Sequence, residues 1–393
     1  MNSVMVMINS MVIKERSDKR FEGRITVNSK RKSFYGQTKT EVKNKAKEYL
    51  QKIENGYKEP QKITLNEYLE YWLKKYKWNK IEPSSYTRLY RVYECQIKNS
   101  IGNRMIGNIK TEDIQNLIDE YANPSKEATK ALALSGLKRL IQLLRPCMQT
   151  AVKEGIIQNN PCNDVILPVE SCIKTQTKEQ LTLSDSEINI FRETALSKYK
   201  TTNEYKSRDA LVLLVMLNLG LRVGEMLALE WNDIDKENKI VNINKTVQSN
   251  IKNFSDSGNT TYNRIKNSTK TKSGRRILKL NESTMFYIEE LIEYDKRNNI
   301  YSSFIACTRA GTMNTARNLQ RSLNRMINQT DLPNRISLHT LRHTFGSSLV
   351  RQGIGIEIVS KLMGHANITI TYLKYIHVIQ EQEAKAMEMV TIC

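Results

Sequence analysis

Apolar and polar positions alternate along residues 23–38, GRITVNSKRKSFYGQT, the period-two pattern of short twisted strands in a hairpin. KTEVKNKAKEYLQKI at 39–53 then reads as a helix. The pattern changes at TLNEYLEYWLKKYKW. Thr64 and Glu67 make a capping box, and Leu65, Tyr68, Leu69, Trp72 and Leu73 follow it at helical spacing. Further helices are predicted near 84–99, 111–122 and 127–154, the last with an apolar face of Leu132, Leu134, Leu137, Leu140, Ile141 and Leu144. Pro146 is expected to kink or divide that helix, and Pro161 in QNNPC stops the segment. Residues 63–168 therefore read as an all-α bundle, preceded over 1–62 by a small sheet-plus-helix unit.

VESCIKTQTKEQLT at 169–182 is polar and aperiodic, a linker. SDSE at 184–187 is a second capping box and opens another unit, 183–393. A helix near 208–219 runs into the glycine stop Gly220, and a second helix follows in LRVGEMLALEW. KIVNINKTV at 239–247 and RRILKL at 275–280 alternate as strands, with a loop rich in Lys, Ser, Asn and Gly between them. Helices return near 282–296, 315–328, 339–350, 356–363 and 368–376. The expected fold is multidomain and mostly α with small β-sheets: an N-terminal sheet-plus-helix, a helical bundle, and an α+β C-terminal domain with one small sheet.

Charge adds a partner. The 393 residues carry 61 Lys and Arg against 41 Asp and Glu, a net +20, which attracts polyanions. The first 62 residues are the most uneven, with 15 basic against 7 acidic side chains. There Arg24, Lys30, Arg31 and Lys32 stand beside aromatic residues on strands suited to a DNA groove. In the bundle Lys74, Lys75, Arg88 and Arg91 suit gripping a duplex backbone. No apolar run reaches the ~18 residues that span a bilayer. ALVLLVMLNLGL at 210–221 reads as a buried helix, and MNSVMVMINSMVI at the start lacks a basic leader and a cleavage site. A soluble intracellular protein with no membrane contact is expected. The six cysteines are scattered, without a C-x-x-C pair, as free thiols in a reducing compartment are. No metal site is expected.

All four histidines, His339, His343, His365 and His377, fall in the last 55 residues. HTLRH puts His339, Arg342 and His343 on one helical face. A guanidinium fork matches phosphate oxygens, and an imidazole donates a hydrogen bond or moves a proton near neutral pH. Gly364 ends the next helix, so His365 sits where the backbone turns, and Tyr375 lies ten residues on. A tyrosine with a pKa of ~10 is protonated at neutral pH. It attacks a phosphodiester only if its proton is removed or if the charge developing on phosphate is stabilised, as fixed cations and donors do. Arg222 in GLRVGE, just past the glycine stop, is a second such cation, with Glu225 three residues on to orient it. STKTKSGRRILKL at 268–280 holds five basic residues and no acid, and offers a lysine to the leaving oxygen.

The order is Arg, a hairpin Lys, H-x-L-R, G-H, and a Tyr ten residues later. It resembles the tyrosine recombinase (phage integrase) family. The motifs are LGLRVGEMLALEW (219–231), TKTKSGRR (269–276), LHTLRHTFGSSLV (338–350), LMGHANITIT (362–371) and KYIHV (374–378). The basic front unit resembles the arm-binding domain found in integrases of conjugative transposons and related phages. The resemblance implies an arm-type DNA-binding domain over 1–62, a core-binding domain over 63–168, a linker over 169–182 and a catalytic domain over 183–393. It implies that Arg222 and Arg342 hold the scissile phosphate, that Lys270 protonates the 5′-oxygen as it leaves, and that His339 assists proton transfer. His365 would bond the phosphate, and Tyr375 would form the 3′-phosphotyrosyl link. Lys272 stands as the alternative acid. His343 and His377 would be structural, and Tyr372 a packing residue. The covalent step retains the bond energy, so no cofactor, ATP or metal is implied.

The implied activity is site-specific recombination for integration and excision of a mobile element. The implied partners are double-stranded DNA attachment sites, three further copies in a homotetramer on two duplexes joined in a Holliday junction, and an excision factor or host DNA-bending protein. The implied location is the cytoplasm, at the nucleoid. A type IB-like topoisomerase and a noncatalytic DNA-binding regulator on the same scaffold are the competing readings. The tail after Ile379 reads as a helix that docks on a neighbour.

Overall fold

The computed structural model describes residues 11–27, 30–54, 63–125, 131–169, 181–252, 261–267 and 274–389. The chain divides into two units, Met1–Gln176 and Thr177–Cys393.

In the first unit β1 (Ile13–Glu15), β2 (Phe21–Val27) and β3 (Lys30–Gly36) form an antiparallel sheet in that order, with Phe21 opposite Gly36 and Ile25 opposite Lys32. Ile25 and Phe34 pack on Val42, Ala46 and Leu50 of α1 (Lys39–Glu54). At Gly23 a Cβ would stand 2.6 Å from Val42 Cγ1, so the strand can lie this close to α1 only without a side chain. Arg24 and Arg31 are exposed. Lys32 departs from the single basic face expected. Its register puts it on the side of Ile25 and Phe34, where its Nζ lies 4.8 Å from the Tyr49 ring centre. The side chain of Lys30 lies outside the described residues.

The bundle begins with α2 (Leu65–Trp72), capped reciprocally by Thr64 and Glu67. Both α2 and α3 (Pro83–Val92) loosen into single π-helical turns, Leu73–Lys77 and Tyr93–Ile97, so the helix expected at 84–99 changes pitch within its length. α4 (Thr111–Ala122) and α5 (Leu134–Lys153) complete the bundle. The helix expected from 127 starts at Leu134; residues 126–130 lie outside those described. Pro146 neither ends nor divides α5. It sits among Leu143, Leu144, Cys147, Met148 and Ala151, all buried, and packing of that face offsets the lost backbone bond. Lys74, Lys75, Arg88 and Arg91 are exposed. Lys75 lies 3.6 Å from the Glu154 carboxylate.

The second unit opens at Ser184, which caps α6 (Asp185–Ala195) with Glu187. Its centre is α7 (Arg208–Leu219), where Leu211 to Leu217 are all buried. Around it pack α6, α9 (Glu282–Arg297), α10 (Ala316–Ile327) and α11 (Leu338–Arg351). A helix apolar all round needs neighbours on every side. The short α8 (Val223–Ala228) follows α7, and α12 (Ile356–Met363) and α13 (Ile368–Met389) follow α11.

There are two sheets here, where one was expected. One is β4 (Ile234–Asp235), β5 (Ile240–Ile243) and β8 (Arg276–Lys279), in the order β4-β5-β8. The other is a hairpin of β6 (Thr246–Lys252) and β7 (Thr261–Lys266), most of it inside the stretch read as loop. The single strand expected at 239–247 breaks after Ile243, and Lys245 beyond the break binds Asp233 at 2.9 Å and also Glu230. The last helix runs to Met389, past the expected end at 376. Cys95, Cys147, Cys162 and Cys307 are free thiols; Cys172 and Cys393 lie outside the described residues. Among the described residues no helix is long and apolar enough to cross a membrane.

At the foot of α7 the Arg208 guanidinium binds Asp295 of α9 through two bonds, 2.5 and 2.7 Å, with both side chains nearly buried. Removing one partner strands the other charge in the core. Asp295→Asn is expected to cost about 3–5 kcal/mol, read as a lower urea midpoint of the full chain. The double change Arg208→Met with Asp295→Leu should recover most of it.

Candidate active site

Two helix ends built the same way frame the site. α7 stops at Gly220, which is left-handed at φ 58°, with Gly220 N donating to Leu217 O and Leu221 N to Met216 O. α12 stops at Gly364, φ 63°, with Gly364 N donating to Lys361 O and His365 N to Ser360 O. Both are glycine-terminated Schellman turns. At Gly220 a Cβ would also lie 2.2 Å from the Phe345 ring, so the position excludes a side chain twice over. After these stops come Arg222 and His365.

The stops also leave carbonyls free, and the arginines take them. Arg342, on α11 and 3 % exposed, donates Nη1 to Gly220 O at 2.6 Å and Nη2 to Met363 O. Arg222 donates Nη2 to Gly364 O at 2.8 Å and Nη1 to Glu225 Oε1 at 2.6 Å. Glu225 Oε2 in turn accepts the Arg222 backbone N–H at 2.9 Å, so this carboxylate caps α8 as it orients the guanidinium. Burial alone would raise the Glu225 pKa. Hydrogen bonds and charge from Arg276, then the charge and backbone of Arg222, outweigh it and hold the group ionised. Burial and the neighbouring Arg222 lower the Arg342 pKa, yet an arginine stays protonated at neutral pH.

His365 is 9 % exposed, and its Nδ1 is bonded to Thr371 Oγ1 of α13 at 2.7 Å. That fixes the ring and leaves Nε2 as its other polar atom. His339 is exposed one turn before Arg342, and its pKa is lowered by desolvation and by Lys374, Arg342 and Arg222. His343 lies between His339 and Tyr375, with ring centres 6.2 and 6.5 Å away. The side chain of His377 lies outside the described residues, as do Lys270 and Lys272 entirely.

Tyr375 belongs to a small core of its own, with Val350, Val359, Met363 and Val378. Its hydroxyl lies 3.1 Å from Met363 Sδ and is 1 % exposed with the rest of the side chain. A Cβ at Gly346 would come within 2.2 Å of that hydroxyl, so the glycine makes the seat. Burial pushes the Tyr375 pKa up to about 12, against the pull of Arg342. Tyr372 was expected to pack. It is 43 % exposed, beside Leu373 at 66 %, while Thr371, Tyr375 and Val378 form the buried face of α13.

Arg222, Arg342, His339, His365 and Tyr375 are thus tied together by α7, α11, α12 and α13. Two neighbours escaped the sequence reading. Lys374, half-buried, has a pKa lowered by burial and by Arg342 and Arg222, and its charge in turn lowers His339, His343 and His365. Arg276 binds both oxygens of Glu225, at 3.0 and 3.2 Å. The alternation of β8 carried that signal, since Arg276 shares a face with buried Leu278 while Ile277 points out. The arrangement presents cations and an imidazole beside a tyrosine, which suits stabilising a phosphate under attack.

Residues 189–382 match the Phage integrase family, and residues 64–121 match the phage integrase N-terminal SAM-like domain. A XerC-like tyrosine recombinase of Caldanaerobacter subterraneus subsp. tengcongensis is 30% identical over 91% of this chain and 90% of its own length. The transposase from transposon Tn916 of Enterococcus faecalis is 24% identical over 71% of this chain and 66% of its own. The Tn1549 transposon integrase, solved with transposon right-end DNA, has the same fold at a TM-score of 0.62 and 20% identity, over 84% of this chain and all of that one. A lambda integrase dimer on a core site gives 0.57 at 15% identity, over 92% and 94%. The chain belongs to the phage integrase family, the tyrosine recombinases, which cut and rejoin DNA through a tyrosine nucleophile. It is a site-specific recombinase.

His365 makes stability depend on pH. Burial, then Arg342, Lys374 and Arg222, lower its pKa from 6.5 to about 3. An unfolded histidine takes up a proton first, so the contribution is complete above pH 6.5 and is lost as pH falls toward 3. Unfolding free energy should drop by about 2 kcal/mol between pH 7 and 5 from this group. Urea titrations of His365→Asn should show that part of the slope flattened.

Proposed function

We propose that Arg222, Arg342, His339, His365 and Tyr375 form one phosphate site that cuts and reseals a DNA strand. The observation that carries this reading is the pair of arginines bound to the carbonyl ends of α7 and α12, with His365 on the second of those turns and Tyr375 on the next helix. Arg222 and Arg342 hold the nonbridging oxygens, and His365 Nε2 donates to one of them. Tyr375 Oη bonds to phosphorus and passes its proton to His339. The P–O5′ bond breaks, and the leaving oxygen takes a proton from Lys270, with Lys272 as the alternative. The 5′-hydroxyl of a partner strand then attacks the phosphotyrosyl bond and restores the tyrosine. The hydroxyl must first leave its seat on Met363, since DNA cannot reach a side chain so buried.

The domain roles follow the same reading. Residues 1–62 bind arm-type DNA, with Arg24, Lys30, Arg31 and Lys32 as contacts. Residues 63–168 hold the core site through Lys74, Lys75, Arg88 and Arg91. Residues 169–182 link them to the catalytic domain, 183–393. The relatives named for transposons support a mobile element as the setting. Lambda integrase, solved as a tetramer on a Holliday junction, supports a homotetramer on two duplexes, with α13 continuing into the tail that would meet a neighbour. Double-stranded attachment sites are the substrate, and an excision factor or host DNA-bending protein sets direction. Such a substrate puts the enzyme in the cytoplasm, at the nucleoid.

Two outcomes are expected. On a nicked suicide attachment site, wild type and Tyr372→Phe should trap covalently linked DNA, seen as a shifted band on denaturing gels, and Tyr375→Phe should trap none. Trapping by Tyr375→Phe would end the assignment. Separately, a 5′-sulfur leaving group needs no proton. Whichever of Lys270→Ala and Lys272→Ala loses about 10²-fold on the oxygen substrate and recovers on the sulfur one identifies the acid.

A further inference from the structure

We infer that Arg276 is a positioning residue: it saturates the Glu225 carboxylate and so keeps Arg342 and Arg222 aimed at the scissile phosphate. This rests on the reading of those two arginines as the phosphate clamp. An ionised carboxylate offers about four lone-pair sites. Glu225 fills four, with Arg222 N at 2.9 Å, Arg222 Nη1 at 2.6 Å, Arg276 Nη2 at 3.0 Å and Arg276 Nη1 at 3.2 Å. Arg342 Nη1 stands off from the same carboxylate at 3.9 Å and binds Gly220 O instead.

Arg276 enters from β8, whereas Arg222 and Arg342 come from the helix ends. Its side chain is 7 % exposed and Glu225 is 2 % exposed. Two lone pairs of a buried anion would be bare without it, which is costly. The nearest cation able to answer is Arg342, and moving it onto Glu225 would break its bond to Gly220 O and turn its donors from substrate. Both terminal nitrogens of Arg276 bond Glu225, and Nη1 also reaches Gly274 O at 3.3 Å, so its part is to hold the carboxylate. A lysine there would supply the charge but not the two-point fork.

The test compares full-length variants on suicide substrates carrying either a phosphate or a neutral methylphosphonate at the cleavage position. A methylphosphonate lacks the charge that the arginines neutralise. Arg276→Met should slow phosphate cleavage about tenfold or more and methylphosphonate cleavage much less, with Arg276→Lys between it and wild type on phosphate. Melting temperature and site affinity are measured beside it. Unchanged phosphate cleavage overturns the inference, and so does an equal loss on both substrates. Arg342→Ala separates the two levels. If its loss is equal on both substrates, the clamp reading fails. If its loss is confined to phosphate while that of Arg276→Met is not, the inference alone fails.

Discussion

One buried carboxylate holds the site together. Glu225 sits between Arg222, Arg276 and Arg342, and each of those guanidiniums would be repelled by the others without it. Burial disfavours its charge, but four donated bonds reverse that preference. The rest of the grip is backbone. Gly220 O, Met363 O and Gly364 O are the last carbonyls of α7 and α12 and carry the partial negative charge of a helix C-terminus. Left-handed glycines end both helices abruptly enough to leave those oxygens facing the cations.

The proposed nucleophile is governed by a different balance. Tyr375 is packed as a core residue, beside Gly346, with its hydroxyl on a weak sulfur acceptor. That environment favours the neutral phenol, while the positive charge gathered around Arg342 favours the phenolate. On the proposed reading, an incoming phosphate diester would bring one negative charge to Arg222, Arg342 and Lys374, which cluster here. On that reading the same cations that depress the histidines await substrate, and the cost of crowding them is carried by the folded state until DNA arrives.

The elements that were legible in sequence have local causes. Capping boxes at Thr64 and Ser184, the glycine stops at Gly220 and Gly364, and the wholly apolar α7 are written in neighbouring residues. Elements that went astray depend on distant ones. α5 runs through Pro146 because its face is packed from the bundle. β6 and β7 stabilise each other across a gap that reads as polar loop. Lys32 falls on the helix side of its sheet because pairing with Ile25 sets its register.

By itself the sequence determined the family and the mostly helical multidomain fold, because motif spacing and helix punctuation are local properties. Only the tertiary structure decided that Tyr375 is buried and Tyr372 exposed, that Arg276 shares Glu225 with Arg222, and that Lys374 lies among the histidines. Those facts depend on which faces of α11, α12, α13 and β8 meet, and a chain of residues far apart in sequence carries no direct record of that meeting.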